Sequence, residues 1–524
     1  MSLRSWIPLL FALLVPDRDA DADLARLANW FARYRSQTID ADKVQRLIPD
    51  VDSPPVFQSL ERYLEQLAGA PTAARVKLLF DIATFRFASD PARELRDHDQ
   101  RQPWVVRDRI KRALADYAAS EAGVFLIAPW VAAERDEIRA VAVEALGEGL
   151  KRQRSDRARS RVELALGDPS ELVRMHAATA AAALDPADAA RVLAVLGDRS
   201  AQVRIRMLAT LAALAERGRQ ANTPIAAAVF AAIATRLRDA DPLVRIKAAE
   251  IAAAWPRSMP ADAVLDALVE ELEARARGLG RARLLVPLLA AARALPPEGG
   301  PLQRHPTLGG SEGLETLARE VARTQATFFG DLLASDHVVF VLDVSGSMSR
   351  PPGAGSQPAG RPKAAPGASR IEIARAQIRR YLDTVTPRHR FNLVVFGAGA
   401  RALFPELVPG TPRNVQLARE YLFSSAPEGL TDLFAGIVTG LRLIGLDHWD
   451  VVHSGADAVV IVTDGIPTTG VVTHPEDIRR IVTQLNRNAG IQVHVVDLGR
   501  NHAAFAASLE KMARDNGGRY MRPQ

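Results

Sequence analysis

The chain has 524 residues, too many for one compact core, and its 48% hydrophobic and 24% charged content is that of globular domains, which excludes a mainly disordered or collagen-like chain. Lys plus Arg number 67 against 61 Asp plus Glu, a formal charge of +6 spread without a dense basic run, so no nucleic-acid partner is expected. The absence of Cys removes disulfides, thiolate metal sites and Cys nucleophiles together.

Residues 1–22 carry Arg4, an apolar run from Trp6 to Val15, and Ala20-Asp21-Ala22. That is the layout of a signal peptide with an Ala-x-Ala cleavage site, and it predicts an exported protein: periplasmic, cell-surface or secreted. The run is too short to span a bilayer, so no transmembrane anchor is expected. Residues 23–99 read as a helical N-terminal region. Leu24, Leu27, Phe31 and Tyr34 form one helical stripe, Asp52-Ser53-Pro54-Pro55 is a break, and helices are expected at 56–67 and 73–87.

From 100 to 295 the chain repeats itself. An aliphatic residue followed by Arg opens each unit: Val106-Arg107, Ile138-Arg139, Val173-Arg174, Val203-Arg204 and Val244-Arg245. Apolar positions follow four, seven and eight residues after the first. Asp136, Asp168, Asp198 and Asp241 precede four of these openings, where they favour a helix start. A unit of this size buries its apolar face only by stacking on its neighbours, so an α-solenoid is expected. The pattern resembles HEAT repeats. That resemblance implies that the Arg and Asp residues link adjacent repeats; the solenoid is expected to offer a second docking surface.

Residues 296–335 read as a Pro/Gly-rich linker followed by a helix from Leu314 to Ala334. Residues 336–524 then alternate strands and helices. The strands are expected at 337–342, 391–396, 458–462, 491–497 and 519–521. Helices are expected at 370–385, 415–423, 433–444, 475–488 and 503–514. The alternation predicts a doubly wound α/β, Rossmann-like sheet with its ligands at the carboxyl ends of the strands.

Two apolar strands therefore deliver oxygen donors to one edge. The first ends in Asp343-Val344-Ser345-Gly346-Ser347 and the second in Thr463-Asp464-Gly465. A loop, Gly429-Leu430-Thr431-Asp432, comes just before a helix. Carboxylates and hydroxyls are hard donors, and few carboxylates favour an open site for Mg²⁺, Mn²⁺ or Ca²⁺.

These three segments resemble the metal-ion-dependent adhesion site of a von Willebrand factor A domain. The resemblance covers residues 336–524. It implies that Ser345, Ser347 and Thr431 bind the cation through their hydroxyls. Asp343 and Asp464 act mainly through bound waters. The open position is left for a carboxylate from a protein partner. Asp432 neighbours the site without a ligand role. Residues 349–369, rich in Pro, Gly and Ala with Arg350, Arg361, Lys363 and Arg370, read as a disordered insertion; a basic flap over the site is the other reading.

No phosphate loop, GxGxxG, HExxH or GxSxG motif is present, and no general base is tied to Ser345, so the expectation is a binding protein and not an enzyme. The rival readings are a metal-dependent hydrolase, a cytosolic subunit working with an AAA-type ATPase, and a scaffold with a vestigial site.

Overall fold

The computed structural model describes residues 71–83, 103–220, 225–277, 281–295, 303, 308, 310–324, 326–328, 331–333, 335–351, 367–441, 455–470, 472–486, 490–499 and 503–522. The expected signal peptide (1–22), most of region 23–99, linker residues 296–302 and insertion residues 352–366 lie outside them. Among the described residues no helix is long and apolar enough to cross a membrane.

The chain divides into two compact units, with the boundary between Ala183 and Leu184. The described part of the first is helical: α1 (Ala73–Ala83), α2 (Pro103–Ala118), α3 (Glu121–Ile127), α4 (Asp136–Leu150), α5 (Asp156–Ala165) and α6 (Glu171–Ala180). Ser120 and Ser155 cap α3 and α5 through their side-chain oxygens, as short polar residues do at helix starts. Gly147 of α4 lies so close to α6 that an added Cβ would stand 2.4 Å from the Cβ of Ala180. The Ala-rich sequence is what lets these helices approach. Arg139 Nε and Nη2 donate to the two carboxylate oxygens of Asp168, each at 2.9 Å, so this Arg is held by an Asp 29 positions further along the chain.

The second unit begins with α7 (Ala189–Leu193), α8 (Ala201–Gln220), α9 (Ile225–Thr235), α10 (Pro242–Ala254), α11 (Ala261–Ala276) and α12 (Ala282–Arg293). Asp241 caps α10, with Pro242 in its first turn. Arg204 repeats the Arg139 arrangement, donating to Asp239 at 3.0 and 2.7 Å. Asp239 is buried there. Arg204→Ala is expected to cost about 2 kcal/mol in denaturant unfolding, because it leaves a buried carboxylate with only Arg236, at 3.3 Å, and the Asp241 amide, at 3.0 Å. A loss below about 0.5 kcal/mol would make the pair an ordinary solvated bridge.

The expected helix over 314–334 is shorter at its C-terminal end than predicted. α13 runs from Gly310 to Thr324, and β1 (Ala326–Phe328) pairs antiparallel with β2 (Asp331–Leu333). Thr327 and Phe328 favour extended backbone, a preference that helix periodicity does not register.

The sheet holds β3 (His337–Asp343), β4 (Arg390–Phe396), β5 (Ala400–Ala402), β6 (Val408–Pro409), β7 (Ala458–Thr463), β8 (Gln492–Asp497) and β9 (Tyr520–Met521). Its order is β5-β4-β3-β7-β8-β9, with β6 also on β4. The pairs β3/β4, β3/β7, β7/β8 and β8/β9 are parallel, while β5 and β6 run antiparallel to β4. The helices are α14 (Arg370–Thr384), α15 (Pro412–Ser424), α16 (Leu433–Leu441), α17 (Pro475–Asn486) and α18 (Ala503–Asp515). On one side of the sheet, Phe340, Leu342, Leu393 and Val460 pack with Ile371, Ile378, Tyr381 and Leu422. Consecutive strands leave β3 toward β4 and then return to β7 on its other side. The carboxyl ends of β3 and β7 therefore flank the crevice where the strand order reverses.

Candidate functional site

The register that pairs Leu342 with Val462 brings Asp343 beside Thr463. Thr463 Oγ1 donates to Asp343 Oδ2 at 2.7 Å, and the Ser345 amide donates to Asp343 Oδ1 at 2.8 Å. Asp343 is fully buried. Burial pushes its carboxyl up to about 6, the nearby Asp464 charge adds to the rise, and the two hydrogen bonds oppose it.

After Asp343 the chain turns into a short 3₁₀ segment, Gly346–Ser349, which aligns two hydroxyls. Ser345 Oγ and Ser347 Oγ are 3.1 Å apart, and Ser347 Oγ donates to Asp464 Oδ1 at 2.8 Å. The loop before α16 is tied in by backbone bonds. Glu428 N donates to Val344 O at 2.9 Å, and Gly346 N donates to Gly429 O at 3.2 Å. Gly429 sits at φ +73, a conformation that favours glycine. Thr431 is buried; its amide donates to Thr468 Oγ1 at 2.9 Å.

A Cβ added to Gly465 would stand 3.4 Å from Ser347 Oγ and 3.6 Å from Thr431 Oγ1. The structure thus brings together all five residues singled out from the sequence: Asp343, Ser345, Ser347, Thr431 and Asp464. Gly465 leaves a small open cradle between two of the hydroxyls. A set of hydroxyl and carboxylate oxygens around such a cradle suits a hard divalent cation. Asp432 is turned away to cap α16, its Oδ1 accepting from Ala435 N at 2.9 Å.

Two further residues complete the site: Thr468, to which the sequence reading gave no role, and Arg370, which it placed in the basic flap and at the start of the 370–385 helix without a partner. Thr468 fixes the Thr431 loop. Arg370 reaches in from α14, and its Nη1 donates to Asp464 Oδ2 and, at 3.3 Å, to Ser347 O. Ser369 and Glu372 form a capping box, so a cation occupies the first helical turn, where the helix dipole disfavours it.

Gly465→Ala gives a separate handle on the cradle. The methyl meets only ordinary contacts, so the melting temperature without metal is expected to stay at the wild-type value. The space between the hydroxyls is filled, so calorimetric Mg²⁺ binding is expected to be lost. Undiminished binding would place any cation elsewhere.

The von Willebrand factor type A domain profile matches residues 369–521, which hold every strand of this sheet after β3. The Asp343–Ser347 segment precedes that match and joins it through the central strand β3. The human inter-alpha-trypsin inhibitor heavy chain H4 is 30% identical over 184 residues, 35% of this chain and 17% of its own. The bovine heavy chain H1 is 24% identical over 188 residues, 36% of this chain and 18% of its own. The chain thus spans less than a fifth of the length of these relatives. Among solved structures, the PilB minor pilin of Streptococcus sanguinis aligns at 17% identity over 37% of this chain and 58% of its own, with a TM-score of 0.25.

Proposed function

We propose that this chain binds protein partners through a divalent cation held at the β3/β7 crevice. Ser345, Ser347 and Thr431 would hold Mg²⁺, or Mn²⁺ or Ca²⁺, through their hydroxyls, and Asp343 and Asp464 would support it through water. The cation would supply an electrophilic centre that attracts a carboxylate from the partner. One observation carries the reading: oxygens from three separate segments converge on one cradle, with the Ser347 hydroxyl 2.8 Å from Asp464 Oδ1. The match to the von Willebrand factor type A domain profile and the likeness to heavy chains named for a trypsin inhibitor support a binding role over turnover. The reading includes an exported, envelope or extracellular location and HEAT-like helices as a second docking surface.

The test is a pull-down with the full chain as bait in Mg²⁺, in EDTA, and with Ser345→Ala/Ser347→Ala. Proteins retained only by the intact bait in Mg²⁺ are the expected outcome. Equal retention in all three lanes would move binding to the helical region.

A further inference from the structure

Arg370 is a cation almost sealed inside the site. Its side chain is 4% exposed and that of Asp464 is 0% exposed. The two oxygens of Asp464 are divided between partners: Oδ1 accepts the Ser347 hydroxyl and Oδ2 accepts the guanidinium. Nη1 also reaches the Ser347 carbonyl, so the guanidinium spans two of the segments that form the cradle. The helix gains nothing from a cation there. Arg370 is the first residue of α14, and positive charge at a helix N-terminus opposes the dipole. Its placement is explained by the carboxylate it meets.

Resting on the metal-site reading above, we propose that Arg370 makes the site take a cation and an anion as a pair: it weakens the cation alone and strengthens the carboxylate that follows. Charge counting over the groups in direct contact gives the reason. Asp343, Asp464 and Arg370 together carry one negative charge. A divalent cation turns this into one positive charge, and one carboxylate brings the buried site to neutrality. Without Arg370 the loaded site is already neutral, and an incoming carboxylate leaves an uncompensated negative charge in a desolvated pocket. The guanidinium also acts as counter-ion to Asp464 while the metal is absent, which keeps the hydroxyls aligned before loading.

The experiment uses the full chain and Mn²⁺, with acetate as the carboxylate probe and acetamide as its neutral control. Arg370→Gln, Arg370→Met and Arg370→Lys are purified in Mn²⁺, where the metal itself compensates Asp464. Mn²⁺ affinity is read by competition with a chelator. Acetate affinity of the loaded protein is read by the fall in water-proton relaxation. The two uncharged variants are expected to bind Mn²⁺ about tenfold more tightly and acetate about tenfold more weakly, the order of effect one neighbouring charge gives. Arg370→Lys is expected to match the wild type in both. Affinities unchanged, or moving in the same direction for both ligands, would overturn the proposal. So would Arg370→Lys behaving as Arg370→Gln, or both uncharged variants failing to fold in Mn²⁺. Absence of Mn²⁺ binding in the wild type would instead overturn the metal-site reading on which the proposal rests.

Discussion

Asp343→Asn is expected to stabilise the metal-free protein by about 3 kcal/mol near pH 7.5 and to abolish its stabilisation by Mg²⁺. The first effect follows from burial. A carboxyl pushed up to about 6 pays for its charge at neutral pH, at about 1.4 kcal/mol for each unit above its ordinary value. Asn keeps the geometry: its oxygen can accept from Ser345 N, and its amide can donate to Thr463 Oγ1. The sign is set by the direction of the shift. A group with a raised folded value contributes stability below about pH 4, and that contribution is lost as pH rises through about 6. The two proteins should therefore match in EDTA at about pH 4 and separate between about pH 4 and 6, with a constant difference above that range. Denaturant unfolding in EDTA across this range, repeated with Mg²⁺ near pH 7.5, checks both halves. A variant less stable than wild type at neutral pH in EDTA would mean that Asp343 is held by favourable contacts and not kept ready for a cation.

The oxygen cluster was legible in the sequence because its logic is local. Val338 to Leu342 and Ala458 to Val462 are unbroken apolar runs, and such runs form strands covered on both faces. Each ends abruptly in Asp, Ser or Thr followed by Gly, so the donors had to lie at the strand ends. The parallel order then placed both ends at one crevice. The β1/β2 hairpin was not legible, because three-residue strands carry no measurable periodicity and α13 precedes them with a strong amphipathic stripe. β5 and β6 escaped for the same reason, and Pro409 argues against a strand unless it lies at an edge. Arg370 was read as one charge of a basic flap and as the start of the 370–385 helix, not as a partner of Asp464. Its pairing with Asp464 spans 94 positions, which no local pattern encodes. The continuity of α12 with the sheet was hidden likewise, since the Arg residues that join them resemble any solvated helix face.

Those Arg residues lead to the other large expected effect: Arg283→Met should destabilise the second unit by about 3–5 kcal/mol while leaving Mg²⁺ affinity unchanged. Arg283 is buried, and Nη1 donates to Asp457 O at 3.0 Å. Nη2 meets Gly490 O and, at 3.4 Å, Glu250. The α12 start is held alongside: Ala282 N donates to Asp336 Oδ2 at 2.7 Å, and Arg281 Nη1 lies 3.5 Å from Asp457 Oδ1. Asp336, Asp457 and Gly490 all precede their strands, so this network grips the sheet at the end opposite the cradle. Burial raises the Asp457 carboxyl and Arg283 is the chief influence lowering it, so removing Arg283 leaves a buried charge less compensated. Asp457→Asn should then rescue part of the loss, and the double mutant should fall short of the sum of the singles by about 1–2 kcal/mol. Strand β7 separates this network from the cradle by six residues, about 20 Å of extended chain, which is why cation binding should not follow stability. Full stability in Arg283→Met would mean that α12 and the sheet unfold independently. A combined loss of stability and cation affinity would mean that the grip at one end of the strands sets the geometry at the other.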